Sequence, residues 1–192
     1  MRTSSISRKT KETDISFSLN LDGGEISVST GIGFFNHMLT AMFFYAGVGA
    51  ELTVSGDLHV DGHHTVEDTG IVIGKALREA LGDKAGIRRF ANSYVPMDEA
   101  LCFTALDFSG RPFLVFDAVQ PQEIIGDYES CLTEEFMRAV SVSAGITLHQ
   151  KCLYGKNSHH ITEALFKSFG LCIKDAVKID GDSVSSTKGI LD

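Results

Sequence analysis

The stretch His63-His64-Thr65-Val66-Glu67-Asp68 recurs later in the chain as His159-His160-Ile161-Thr162-Glu163-Ala164. Both copies read His-His-x-x-Glu, and together they contain four of the seven histidines. Each copy opens a segment in which apolar residues recur at helical spacing. The two stripes are Val66, Gly70, Ile73, Leu77 and Leu81, and Ile161, Leu165, Phe169, Cys172 and Ala176. The repeat therefore predicts two helices that begin with the same set of polar side chains.

On a helix, the first histidine and the glutamate of each copy stand at i and i+4 and share a face. Adjacent histidines point about 100° apart, so one doublet serves two directions more easily than one centre. Imidazole and carboxylate together suit Mn, Fe, Ni or Zn. The alternative is a pair of solvated helix N-termini that carry histidine. Because the same spacing occurs twice, metal binding is the better interpretation.

The composition is typical of a globular protein, with 192 residues, 43% of them hydrophobic, and no tryptophan. The net charge of −8, without a basic tract, argues against a general nucleic-acid or membrane-surface role. The polar segment 2–12 lacks the apolar core of a signal peptide. The four cysteines are widely spaced and contain no Cys-x-x-Cys pair. These features predict a reduced, cytoplasmic protein.

Each half of the chain follows the order hairpin, helix, strand, helix. In the first half we predict a hairpin from the alternation between Ile15 and Leu21, the turn at 22–24 and the return strand at Ile26 and Val28. A helix over 34–46, a strand over 52–60 and a helix ending at Gly82 follow it. In the second half, the hairpin spans 101–115, followed by a helix over 133–144, a strand over 146–153 and the His159 helix. We therefore predict an α+β fold built from a duplicated unit, with half-repeats 1–84 and 85–192 in one compact chain.

Many separated motifs occur in order along the chain. They are Lys11-Glu12-Thr13, Thr30-Gly31-Ile32, Asn36-His37-Met38-Leu39, Gly56-Asp57, His63-His64-Thr65, residues 86–90 (GIRRF), residues 106–112 (LDFSGRP), residues 155–160 (GKNSHH) and residues 185–189 (SSTKG). Through these motifs the chain resembles the imidazoleglycerol-phosphate dehydratase family of histidine biosynthesis. The resemblance covers essentially the whole chain, and so many motifs in order make it highly specific.

The resemblance implies two halves, each a four-stranded sheet packed against two helices. It also implies a homo-oligomer of 24 subunits built from trimers, with active sites between subunits. Each subunit would use two Mn²⁺ ions, and the reaction would pass through a di-manganese-bound imidazolate as D-erythro-imidazole-glycerol phosphate loses water to form imidazole-acetol phosphate. One metal would be bound by His37, His64, His159 and Glu163, and the other by His63, Glu67, His160 and Glu135.

The resemblance further implies the groups that carry the reaction. Glu163 and Glu12 are the candidates for proton transfer, and His63 and His160 belong to the catalytic set. Glu12 also belongs to the substrate-binding set, together with Arg89, Arg111, Lys167, Ser186 and Lys188. Guanidinium groups suit phosphate oxygens. Lys167, four residues after Glu163, also fits a plain helix ion pair.

Five positions depart from the family pattern, namely Gly33, Asn36, Ala41, Gly62 and Glu135, the last where many members carry a histidine. Two other classes of function remain open at this point. A dinuclear metallohydrolase would use the same ligands to activate water. A ferritin-like metal store would need a four-helix bundle with Glu-x-x-His pairs, which the predicted strands argue against.

Overall fold

A computed structural model describes residues 2–189 and residue 191. The first half contains β1 (Thr3–Lys9), β2 (Thr13–Asn20), β3 (Ile26–Ser29), α1 (Gly33–Ala46), β4 (Gly49–Gly56) and α2 (His63–Leu81). The second half contains β5 (Phe90–Met97), β6 (Ala100–Asp107), β7 (Phe113–Asp117), β8 (Ile124–Ile125), β9 (Tyr128–Glu129), α3 (Leu132–Ala144), β10 (Thr147–Tyr154) and α4 (Ser158–Ala176). The tail is described to Gly189, while Ile190 and Asp192 of the predicted tail lie outside the described residues.

The two halves share one sheet topology. The first sheet has the order β1-β2-β4-β3 and the second β5-β6-β10-β7. In both, the first three strands pair antiparallel and the last strand pairs parallel to its neighbour. The short β8–β9 hairpin is an addition to the second half. The predicted α+β class, with a four-stranded sheet and two helices in each half, is confirmed, and the sheets exclude a ferritin-like bundle.

The predicted hairpins, however, pair the wrong strands. The turn after β2 does not return the chain beside it, because β4 lies between β2 and β3. In the second half β10 separates β6 from β7 in the same way. The hairpins that form are β1–β2 and β5–β6. Strand β1 escaped prediction because it is a polar edge strand, in which Ser4 is the one buried residue.

The predicted helices agree with the structure to within one residue at most ends, and their apolar stripes are buried. Val66, Ile73 and Leu77 on α2, and the whole predicted stripe of α4, are at most 2% exposed. Helix α1 packs along α4, and α2 packs along α3. Close approach depends on glycine, since a Cβ at Gly170 of α4 would lie 2.4 Å from the carbonyl oxygen of Met42 on α1. Each helix pair therefore joins one helix from each half.

The principal hydrophobic core contains residues of both halves, as expected from this exchange of helix partners. Phe35 of α1, Phe136 of α3 and Phe166 of α4 lie in ring contact at its centre. The boundary between half-repeats at residue 84 stays a prediction. Within the part of the chain that the structure describes, no helix is both long and apolar enough to cross a membrane.

Candidate active site

The N-terminal parts of α1 and α4 bring three predicted metal ligands together. Oε2 of Glu163 lies 3.2 Å from Nε2 of His159 and 3.7 Å from Nε2 of His37. One ligand atom from each residue lies within 4.8 Å of the other two. Two imidazoles and a carboxylate are a donor set suited to a divalent transition metal, so these residues fit the predicted ion. Among residues 2–189 and 191, this is the one group of three or more His, Cys, Asp or Glu side chains whose ligand atoms all lie within 4.8 Å of one another.

Glu163 is the buried member of this cluster, with a side chain 8% exposed. Burial acts to raise the pKa of Glu163, but a hydrogen bond and the positive charge of Lys167 outweigh it, helped by His37 and His159. The pKa of Glu163 therefore lies below its ordinary value, and the side chain is an anion at neutral pH. An anionic carboxylate is what both a metal ligand and a proton acceptor require.

Lys167 was predicted to contact substrate, and here it binds Glu163. Its Nζ lies 2.8 Å from Oε1 of Glu163, the i,i+4 ion pair that its spacing also allowed. The ammonium stands 5.5 Å from the centre of the Tyr45 ring. The observed contact thus supports a role in orienting Glu163, and contact between Lys167 and substrate stays a prediction.

The first doublet lies in a different place from this cluster. Nε2 of His63 is 4.0 Å from Oε2 of Glu67, as their shared helix face predicts. The His64 ring lies between two carboxylates, with Nδ1 3.0 Å from Asp57 and Nε2 3.9 Å from Glu12. The hydrogen bond to Asp57, with the negative charge of Glu12, raises the pKa of His64. His64, predicted to share a metal with His37, does not join that cluster within one chain.

His160 points away from its neighbour His159 toward the turn between β5 and β6. Its Nδ1 lies 2.6 Å from Oε2 of Glu99, and its Nε2 lies 3.6 Å from Oδ2 of Asp98. The contact with His160, together with backbone hydrogen bonds, lowers the pKa of Glu99 to about 2. The two histidines of this doublet therefore serve two different sets of neighbours, as predicted from their angular separation.

Glu135 occupies the first turn of α3. Its position relative to the end of the helix matches that of His37 on α1, because both helices stop at a left-handed glycine, Gly145 and Gly47. Oε2 of Glu135 lies 3.9 Å from Nε of Arg138. Glu135 is therefore the counterpart of His37 in the second half of the chain, and its helix, α3, packs along α2.

Arg89, predicted to contact substrate, is largely occupied by the protein itself. Its Nε and Nη2 lie 2.7 and 3.0 Å from the two carboxylate oxygens of Asp107. Its Nη1 donates to the carbonyl oxygen of Ser185 at 2.7 Å. Arg89 therefore anchors the C-terminal tail, and a direct contact with phosphate stays a prediction.

The other predicted phosphate-binding side chains are more accessible. Arg111 is exposed in the segment between β6 and β7, and Lys188 is exposed in the tail. Ser186 is half-buried, and its Oγ accepts a hydrogen bond from the backbone of Lys188. Arg89 holds the tail at Ser185, so this contact keeps the neighbouring Ser186 and Lys188 close to the second half.

Three carboxylates of the site were not selected from the sequence, namely Asp57, Asp98 and Glu99. Each follows a strand or lies in a turn, and none has a ligand-like spacing to a histidine in the sequence. A usable signal was the repeat itself, since Glu99 directly precedes β6 as Glu12 directly precedes β2.

Gly62, one of the departures from the family pattern, stands at the start of α2. A Cβ there would lie 3.2 Å from Leu132 and 3.3 Å from Ile32, closer than ordinary van der Waals contact. A side chain before the doublet would therefore require the ends of the Leu132 and Ile32 side chains to shift.

The fold and the site together define a duplicated α+β protein whose candidate active site can hold a divalent metal. Residues 30–173 match the family described as imidazoleglycerol-phosphate dehydratase. The chain belongs to that family, which is one of hydro-lyases, and it is an enzyme of that class.

Similar proteins match over nearly their entire lengths. An imidazoleglycerol-phosphate dehydratase from Acetivibrio thermocellus is 54% identical over 189 residues, covering 97% of both chains. One from Ruminiclostridium cellulolyticum is 53% identical over 194 residues, covering 100% of both. The crystal structure of the Staphylococcus aureus enzyme has a TM-score of 0.85 and 37% identity, covering 92% of this chain and 99% of that one. The Pyrococcus furiosus enzyme has a TM-score of 0.85 and 38% identity, covering 97% and 100%.

Proposed function

We propose that this chain dehydrates D-erythro-imidazole-glycerol phosphate to imidazole-acetol phosphate in histidine biosynthesis. The observation that carries the proposal is the cluster of His37, His159 and Glu163, located in a chain that resembles dehydratases of this name from end to end. The test is a turnover assay of the purified protein with Mn²⁺, with formation of the keto product as the readout. A generic phosphate ester serves as the comparison substrate, because a metallohydrolase would release phosphate from it.

The reaction removes a proton from carbon without a neighbouring carbonyl to accept the negative charge. Two divalent ions, when bound, would supply Lewis-acid stabilisation of the charge that develops on the imidazole ring. Glu163 and Glu12 would exchange the protons, one carboxylate taking the carbon-bound proton and another acid protonating the leaving hydroxyl. The 53% exposed side chain of Glu12 is accessible to a ligand, and the Lys167 ion pair keeps Glu163 ionised and oriented.

We propose two Mn²⁺ ions per subunit and active sites completed by a neighbouring copy of the chain. The support is the division of the ligands within one chain, where His64 contacts Asp57 and Glu12 and is not a member of the cluster that contains its proposed partner His37. A second copy would bring the first doublet to the cluster and so complete both ligand sets. A closed assembly of 24 subunits built from trimers, located in the cytoplasm, is the form that we propose.

Arg111 offers a test of phosphate binding. Arg111→Ala is expected to raise KM about 10- to 100-fold, because it removes a charge-assisted hydrogen bond to the substrate. We expect kcat to change much less. The reason is that the phosphate lies away from the reacting carbon and is bound alike in the ground and transition states. Steady-state kinetics with Lys151→Ala, which removes an exposed cation paired with Asp117, provide the control. An unchanged KM would contradict the phosphate assignment.

Glu135 is proposed to replace imidazole as a ligand of the metal that His63, Glu67 and His160 also bind. Glu135→Gln, which keeps size and removes charge, is expected to lower occupancy of one metal per subunit and to reduce activity. Glu135→His is expected to restore both, because an imidazole nitrogen can also bind a divalent transition metal. Elemental analysis of the purified variants measures the occupancy.

The alternative role of Glu135 is to stabilise the N-terminus of α3 through the helix dipole, worth about 0.3–1 kcal/mol. Glu134→Gln is the matched control, because it removes a charge from the same turn of α3. If Glu135→Gln kept full occupancy of both metals and lost as much stability as Glu134→Gln, the helix-dipole role would be the one that Glu135 has.

A further inference from the structure

The second histidine of each doublet has its Nδ1 held by a carboxylate. Oε2 of Glu99 lies 2.6 Å from Nδ1 of His160. The two carboxylate oxygens of Asp57 lie 3.0 and 3.2 Å from Nδ1 of His64. Both contacts are within hydrogen-bonding distance, and both act on the same nitrogen of the ring.

Glu99 is itself held in place by the backbone. Its Oε1 accepts hydrogen bonds from the backbone N–H of Lys156 at 3.1 Å and of Asn157 at 2.8 Å. Asn157 in turn caps α4, accepting a hydrogen bond from the backbone of His159. The carboxylate therefore joins the β5–β6 turn to the start of the helix that carries the doublet, and its second oxygen is left for His160.

The two contacts do not derive from one ancestral position. Glu99 precedes β6 as Glu12 precedes β2, so these two glutamates are repeat counterparts. Glu12, however, lies on the Nε2 side of His64, at 3.9 Å. In the first half the Nδ1 contact comes from Asp57, which directly follows β4. The same contact on the equivalent histidine is thus built from two unrelated positions, so it is not a by-product of the duplication.

Carboxylates also lie near Nε2, but Asp98 is 3.6 Å from that nitrogen of His160 and Glu12 is 3.9 Å from that of His64, beyond hydrogen-bonding distance. Since a carboxylate only accepts hydrogen bonds, a neutral ring bonded to one through Nδ1 must carry its proton there. The lone pair then lies on Nε2, the nitrogen left for a metal. We propose that Glu99 and Asp57 are positioning residues, which hold His160 and His64 as Nδ1–H tautomers and so direct Nε2 toward the metals. This inference rests on the proposed function for the metals, but the tautomers can be measured without them.

The metal-bound test uses Glu99→Gln and Asp57→Asn in the full-length protein, titrated with Mn²⁺. An amide can present N–H to Nδ1, which favours the opposite tautomer and places the ring proton on Nε2. Affinity for one Mn²⁺ per subunit is expected to fall about 10- to 100-fold in each variant, the other ion being affected less. Glu51→Gln and Asp175→Asn remove the same charges from exposed positions and should bind Mn²⁺ as the wild type does.

The metal-free test records imidazole nitrogen chemical shifts by solid-state NMR, with isotope-labelled histidine, at a pH above the histidine titration. We expect His160 and His64 to be Nδ1–H tautomers in the wild type, and His160 to change tautomer in Glu99→Gln while keeping the melting temperature of the controls. Unchanged tautomers with wild-type Mn²⁺ affinity would overturn the inference, as would a lower melting temperature with unchanged tautomers. A wild type that binds no Mn²⁺ would overturn the proposed function, while the tautomers would still decide this inference.

Discussion

Glu163→Gln is expected to lower kcat about a hundredfold or more, because one substitution removes a metal ligand and a group for proton transfer. In the structure its two oxygens face Lys167 on one side and the histidines on the other. Glutamine keeps the shape but cannot accept a proton, and it leaves the Lys167 ammonium without its counter-charge. Steady-state kinetics and elemental analysis of the same preparation would measure both losses.

Glu134→Gln is the control for that substitution, since it also breaks an i,i+4 ion pair, with Arg138, on an exposed helix face. Ion pairs of this exposed kind contribute about 0.3–0.5 kcal/mol, so activity should stay close to that of the wild type. A Glu163→Gln variant with wild-type turnover would remove Glu163 from both of its proposed roles.

Removal of the metal ions should abolish activity and also reduce the size of the assembly. The expected cause is that each proposed site takes ligands from two chains, so that the ions link subunits to one another. Light scattering of the chelated protein should report smaller oligomers, and added Mn²⁺ should restore the original particle mass together with turnover.

The control for this experiment is chelator presaturated with Mn²⁺, which separates loss of metal from any other effect of the reagent. If the fully metal-free protein retained the original particle mass, the proposal that metal ions link the subunits would be wrong.

Local sequence patterns were sufficient for the helices. The stripe from Ile161 to Ala176 is buried along its whole length, and the left-handed glycines Gly47 and Gly145 end α1 and α3. Periodicity and capping are set by residues within a few positions of each other, so the sequence expresses them directly. The duplication was visible for the same reason, because each half repeats its own local order.

The local sequence patterns did not predict which strands pair with one another. Residues near Gly23 indicate a turn, yet a turn does not specify which strand lies beside β2. Strand β4 takes that position, arriving after an intervening helix, since its apolar residues Leu52 and Val54 are buried in the core. The choice depends on contacts between residues distant in the sequence, which alternation alone does not encode.

For the candidate site, the sequence by itself determined the donors: two His-His-x-x-Glu copies whose i,i+4 spacing places a histidine beside a glutamate. Only the tertiary structure decided which neighbours each donor has. The packing of α1 on α4 brought His37 to His159 and Glu163. Glu99 and Asp57 came to lie beside the second histidine of each doublet. Arg89 formed an ion pair with Asp107. The physical reason is range, because helical spacing acts over one turn of chain, whereas these contacts form only when separate helices and strands bury their apolar faces together.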